Sequence, residues 1–138
     1  MREILFRGKV TDGNWIYGNY IYAPNNMEIH SICDPNFPYD WYEIDQYTLG
    51  QYTGLVDRNN KRVFEGDICK FREWENGEMI WIGMVRYEHQ QFIISGGPNK
   101  ECQTPFYLPM SRFISRNIEV IGNIHDNSEL MKRGMYND

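Results

Sequence analysis

Apolar and polar residues alternate along most of this chain, and the alternating runs are short. In residues 15–22, Trp15, Tyr17 and Ile21 share one face, with Asn14 and Tyr20 opposite. In residues 118–124, Ile118, Val120 and Ile124 align against Glu119 and Asn123. Residues 79–87 align Trp81, Val85 and Tyr87, yet Ile80, Ile82 and Met84 make the other face apolar as well. A strand apolar on both faces is covered twice, by a second sheet or by another subunit. This period of two predicts a mainly β protein.

Turn residues punctuate the runs where hairpins need them. Asp12-Gly13 separates 4–10 from 15–22, and Asn76-Gly77 separates 68–74 from 79–87. Arg58-Asn59-Asn60-Lys61 separates 53–56 from 63–64. Asn and Gly accept the positive φ angles of tight hairpin turns. Residues 23–43 are less regular: Pro24-Asn25-Asn26 and Asp34-Pro35-Asn36-Phe37-Pro38 read as turns around a short strand at 28–33. Gly96-Gly97-Pro98-Asn99 is a second irregular stretch. Asp126 with Glu129 resembles a capping box, which predicts a short helix over 128–133 stopped by Gly134.

Composition narrows the function classes. The 138 residues suit a single domain spanning 1–138, with the irregular segment at 23–43. Aromatic residues make up 15%, ten of them Tyr, which favours strands. A formal net charge of −5 disfavours a whole-molecule grip on nucleic-acid phosphates. Three cysteines, Cys33, Cys69 and Cys102, imply no disulfide framework. The N-terminus has no signal-peptide pattern, and no apolar run approaches the ~18 residues of a membrane span. The expected setting is a reduced cytoplasm.

Two stretches go beyond generic β pattern. The first combines Gln51-Tyr52-Thr53-Gly54-Leu55 with Glu65-Gly66-Asp67-Ile68; the second is Ile118-Glu119-Val120-Ile121-Gly122-Asn123-Ile124. With Phe6-Arg7-Gly8-Lys9 and Trp15-Ile16-Tyr17-Gly18, the chain resembles the YopX family of small proteins encoded by phages and prophages. The resemblance implies a β protein whose later half, about 50–126, is a small SH3-like barrel. It implies a setting inside a bacterial host, and it carries over no catalytic residue. In the chain's own chemistry, Gly54, Gly66 and Asp67 have backbone reasons to exist: glycine supplies an unusual φ, and aspartate bonds nearby amides. Gln51, Tyr52, Thr53, Gly54, Leu55, Glu65, Gly66, Asp67, Gly122 and Asn123 are therefore read as a structural motif.

The search for chemistry returns little. His30 and Cys33 are three apart, but no second close Cys/His pair completes a zinc site, so neither metal nor cofactor is expected. Asp40, Glu43 and Asp45 cluster around Trp41 and Tyr42, a pattern that could raise carboxyl pKa values for acid–base work; a solvated acidic turn is the favoured reading. No nucleophile elbow, phosphate loop or dinucleotide fingerprint occurs. The surplus of Trp and Tyr suits protein-interface anchors, stacking platforms for bases, or core. The expectation is a non-enzymatic interaction module acting through protein contacts or self-association, with Ile80, Ile82 and Met84 as candidate interface. A nucleic-acid-binding accessory barrel is the first alternative, and an enzyme using Asp40, Glu43 and Asp45 the second.

Overall fold

Short antiparallel hairpins, each closed by the residues that tolerate positive φ, generate this fold. The structure, a computed structural model, describes residues 2–25, 27–72, 80–97 and 105–131. Five strands come first: β1 (Phe6–Lys9), β2 (Trp15–Ala23), β3 (Ile29–Cys33), β4 (Trp41–Glu43) and β5 (Asp45–Val56). Six follow: β6 (Arg62–Phe64), β7 (Asp67–Phe71), β8 (Trp81–Glu88), β9 (Gln91–Gly96), β10 (Phe106–Pro109) and β11 (Ile118–Asn123). By its contacts the chain divides into two compact units, Met1–Gly54 and Leu55–Asp138.

The first unit is an antiparallel sheet in the order β4-β3-β2-β1-β5. Gly13 turns β1 into β2 at φ 89°, as the Asp12-Gly13 signal predicts. The predicted strand at 28–33 is β3, displaced by one residue because Met27 and Glu28 take positive φ in the turn before it. Gly18 faces β3 so closely that a Cβ there would lie 2.0 Å from the Cys33 carbonyl oxygen. Ile32, Cys33, Ile44 and Tyr52 are buried. The pairing of β1 with β5 breaks between Arg7 and Lys9, where the Thr48 hydroxyl accepts from the Lys9 amide at 2.9 Å and donates to the Asp45 carbonyl at 2.6 Å. This side chain takes the place of ladder bonds that the bulge removes.

The second unit is an antiparallel sheet in the order β10-β9-β8-β7-β11. The 58–61 turn forms as predicted, with Asn60 at φ 64°. The 68–74/79–87 hairpin is present as β7 and β8, paired from Ile68↔Met84 to Phe71↔Trp81. Its turn signal Asn76-Gly77, with Trp74 and Met79, lies outside the described residues. Phe71 is the hub of the core, with its ring 5.0 Å from Phe113 and 5.8 Å from Phe106, both edge-on. Val63, Cys69, Val85, Ile94 and Ile118 close around it. Such edge-to-face pairs contribute beyond the area they bury.

Three expectations change. Ile124 does not share the face of Ile118 and Val120, because β11 bulges at Ile121: Val120 pairs with Cys69, but Gly122 pairs with Ile68. One inserted residue reverses every side chain after it. The SH3-like barrel is not established: the ladders among the described residues give an open five-stranded sheet, with 3-10 turns at Met110–Arg112 and Ser115–Asn117 between β10 and β11. The C-terminal helix is one turn at 129–131, with residues 132–138 outside the description. Before that turn, Asn123 Oδ1 accepts from the amides of His125 (3.0 Å) and Asp126 (2.9 Å), and the Asp126 carboxylate accepts from Asn123 Nδ2 at 3.1 Å.

Candidate functional site

Two surfaces stand out, one in each unit. In the first unit, β4 is the edge strand, and its three residues are all exposed. The connection from β3 to β4 is built from local bonds. Asp34 Oδ1 accepts from the Asn36 amide at 2.8 Å, the Asp34 carbonyl from the Phe37 amide at 2.9 Å, and the Phe37 carbonyl from the Asp40 amide at 3.0 Å. The Trp41 indole then donates to the Pro38 carbonyl at 2.6 Å, tying the turn to the strand. Around this clamp Phe37, Tyr39, Trp41 and Tyr42 project outward, with Tyr39 96% exposed and Tyr42 54%. Asp34, Asp40, Glu43 and Asp45 lie among them and are exposed as well. No Lys, Arg or His occurs from residue 31 to residue 57.

Those carboxylates do not form an enclosed pair. Asp45 Oδ1 is engaged by the Tyr47 amide at 3.0 Å, and Asp40 and Glu43 point into solvent exposure rather than a cleft. All three side chains are exposed, so burial does not desolvate them.

The second unit holds a cleft of about 230 Å³ lined by Arg58, Lys70, Phe71, Arg72, Ile80, Arg116, Asn117, Ile118 and Glu119. Three chain segments meet there through main-chain bonds. The Arg58 amide donates to the Ile118 carbonyl at 2.9 Å, and the Arg72 amide to the Asn117 carbonyl at 3.1 Å. Among the described residues the lining includes four cations and one carboxylate, Glu119, which lies 3.7 Å from Lys70. The Asn117 side-chain oxygen is buried with no hydrogen-bond partner. A buried amide oxygen in that state costs free energy that a donor would recover.

A family model described as YopX protein matches residues 5–132. The chain belongs to the YopX family. None of the curated proteins compared matches it. Among solved structures, it is similar to the crystal structure of protein EF1440 from Enterococcus faecalis. That likeness has a TM-score of 0.57 and 22% identity, and it covers 95% of this chain and 99% of that one. At this identity the likeness concerns the fold.

The YopX motif residues take main-chain and core positions here. Gln51 pairs with Phe6, and the Tyr52 amide donates to the Leu5 carbonyl at 2.8 Å. Tyr52 is buried, Thr53 half-buried and Gly54 exposed at φ 93°; Leu55 packs on the second core. Glu65 is half-buried, and Gly66 turns at φ 91°. Asp67 is buried and accepts from the Phe64 amide at 2.7 Å. Gly122 lies where a Cβ would come 2.6 Å from Asn127 Oδ1, and that oxygen accepts from the Asn123 amide at 3.2 Å. Of the residues expected at an interface, Ile82 and Met84 are half-buried, and Ile80 is exposed and lines the cleft.

Asp57 belongs to the stretch that carries the YopX resemblance, but the sequence reading gives it no role of its own. It reads as an ordinary turn aspartate, yet it is 2% exposed and accepts three amides at 2.9 Å: Asn59 and Lys61 on one oxygen, Val120 on the other. Only the pairing of distant strands reveals the third bond. The YopX chain also stacks Arg7 on Trp15, with the guanidinium 4.7 Å from the ring centroid. Nearby, His30 Nδ1 lies 2.6 Å from the Tyr20 hydroxyl and its ring stacks on Tyr22 at 4.5 Å. Burial, and then the neighbouring Tyr22, raise the Tyr20 pKa. His30 and Cys33 do not converge, because an odd offset on β3 sends their side chains to opposite faces. Among the described residues no group of three His, Cys, Asp or Glu is placed to hold a metal ion, and no helix is long and apolar enough to cross a membrane.

Proposed function

We propose that this YopX-family protein is a non-enzymatic interaction module whose exposed β4 edge docks a protein partner. One observation carries the reading: Trp41 and Tyr42 stand outward on an edge strand, with Phe37 and Tyr39 beside them on a turn fixed by the Trp41–Pro38 bond. Edge strands offer unpaired main-chain groups to an added strand. Rigid aromatics supply contact area at low entropic cost, which is how interface anchors work. The surrounding Asp34, Asp40, Glu43 and Asp45 favour an extended partner segment carrying Lys or Arg. The cellular setting is the cytoplasm of a bacterium carrying the phage or prophage, as the family resemblance implies.

The test is affinity capture from induced host cells with the wild-type chain and with a W41S/Y42S variant. Capture of a defined protein by the wild type and its loss in the variant supports the reading. Equal capture by both, with the variant folded, removes it. Sedimentation over a range of concentrations decides whether that partner is a second copy of the chain. Asp40, Glu43 and Asp45 are exposed and do not line the cleft, which does not favour the alternative of an enzyme using these carboxylates.

A further inference from the structure

We infer that the β4 edge takes a basic segment of its partner as an added strand, with Lys or Arg beside Trp41 and Glu43 and an apolar residue beside Tyr42. The inference rests on the docking reading above and gives that partner a chemistry and a register.

The register follows from one main-chain bond. The Ile44 amide, one residue past β4, donates to the His30 carbonyl at 2.9 Å. Facing residues of an antiparallel pair alternate between bonded and non-bonded. Tyr42, opposite Ile32, therefore turns its N–H and carbonyl toward β3. Trp41 and Glu43, opposite Cys33 and Ser31, turn theirs to the open side. Among the described residues no strand lies on that side of β4. These are the groups that an added strand bonds. Side chains alternate with the same period, so Trp41 and Glu43 share one face of the sheet and Tyr42 stands on the other. In a strand laid alongside, neighbouring residues point to matching faces. The partner's two bonded residues thus meet Trp41 and Glu43, and the residue between them meets Tyr42.

The side chains then select the partner. Asp40 precedes β4 and Glu43 ends it; both are exposed, and neither carboxylate has a hydrogen bond or ion pair among the described residues. A cation beside Glu43 gains a charge partner without displacing another. The Trp41 ring is exposed, and its indole is held to the Pro38 carbonyl at 2.6 Å, which makes it a fixed platform for a cation. Tyr42, exposed on the opposite face, suits a β-branched neighbour. A strand alternating basic and apolar residues meets all three. A second copy of this edge does not, because it brings its own Asp34, Asp40, Glu43 and Asp45 toward the same carboxylates. With β4 only three residues long, main-chain bonds are few and the side-chain pattern decides what binds.

Fluorescence anisotropy at low salt with short labelled peptides tests this. One peptide alternates Lys and Val, one holds the same residues in two blocks, and two more are the alternating peptide N-methylated on every Lys or on every Val. The alternating peptide is expected to bind, less tightly as salt rises. Methylating the Lys amides removes the donors that face the edge and should abolish binding, whereas methylating the Val amides should leave it. E43K changes an exposed side chain and should weaken the alternating peptide about tenfold, the scale of one charge-assisted bond. Hydrogen exchange should slow at the Trp41 and Glu43 amides in the complex and stay the same at Tyr42. No binding of the alternating peptide overturns the inference. So does equal binding of the blocked peptide, indifference to E43K, or the same loss from methylating either set. In each of those cases, partner capture that the W41S/Y42S variant abolishes keeps the docking reading, and only this partner chemistry falls. Self-association through the edge in sedimentation, with no peptide bound, assigns the edge to a second copy and overturns the inference as well.

Discussion

The β4 edge and the second-unit cleft are both exposed, but they are made in opposite ways. The edge is local: its aromatics fall within residues 37–42, and turns of three or four residues hold them. The cleft is assembled from residues 58 to 119, which only strand pairing brings together. Their charge differs too. The first unit has three Lys and Arg against seven Asp and Glu, and the second has eleven against twelve. A near-neutral composition thus brings four cations of the described residues to one cleft, while the acidic unit carries its charge openly around its aromatics. Net charge describes long-range steering, and a site answers to its own few groups.

Damage to each scaffold separates the two surfaces most strongly. Replacing Asp57 with Ala leaves three amides without their carboxylate and should cost about 4 kcal/mol. Hydrogen exchange should report the loss in β7 and β11, with β1 to β3 protected as before; equal loss in both units would break the comparison. Gly18→Ala is the counterpart in the first unit. Its Cβ meets a carbonyl rather than a side chain that can turn away, so a loss of about 3 kcal/mol is expected in urea unfolding.

Binding then separates from stability. Trp41→Ser removes one exposed ring and one indole bond, so unfolding free energy should fall by less than about 1 kcal/mol. Partner capture should nevertheless disappear. The first unit also has a pH signature. The Tyr20 pKa is raised by burial and then by Tyr22, so folding favours the neutral phenol. That stability is complete below the ordinary phenol pKa of about 10 and is lost as pH rises through the higher folded value. Tyr20→Phe should flatten this alkaline decline in thermal melts. The smallest effect belongs to Glu119→Gln. Its ion pair with Lys70 is long and partly exposed, and should be worth under about 0.5 kcal/mol.

Local features were legible in the sequence, and long-range ones were not. Asp12-Gly13 and Asn60 announce their turns because few residues accept positive φ. The strand at β3 shows through its flanking turns. Alternation failed at Ile124 because the Ile121 bulge leaves no signal beyond a glycine at 122. The aromatics at 37–42 were visible as residues, but their exposure was not, since Trp and Tyr fill cores as readily as they line surfaces. The cleft could not be read at all: Arg58, Arg72 and Arg116 are ordinary surface residues until β7 and β11 pair.

Asp57 also orders events in time. Its bonds to Asn59 and Lys61 form as soon as the turn is made, but its third donor is 63 residues downstream. On a ribosome the strands β1 to β5 emerge long before Val120 does. The second unit must wait for nearly its whole length to be synthesised before this carboxylate is satisfied, and contacts of such separation are slow to close. The aromatic edge is therefore available on a nascent chain whose Asp57 junction has not yet closed.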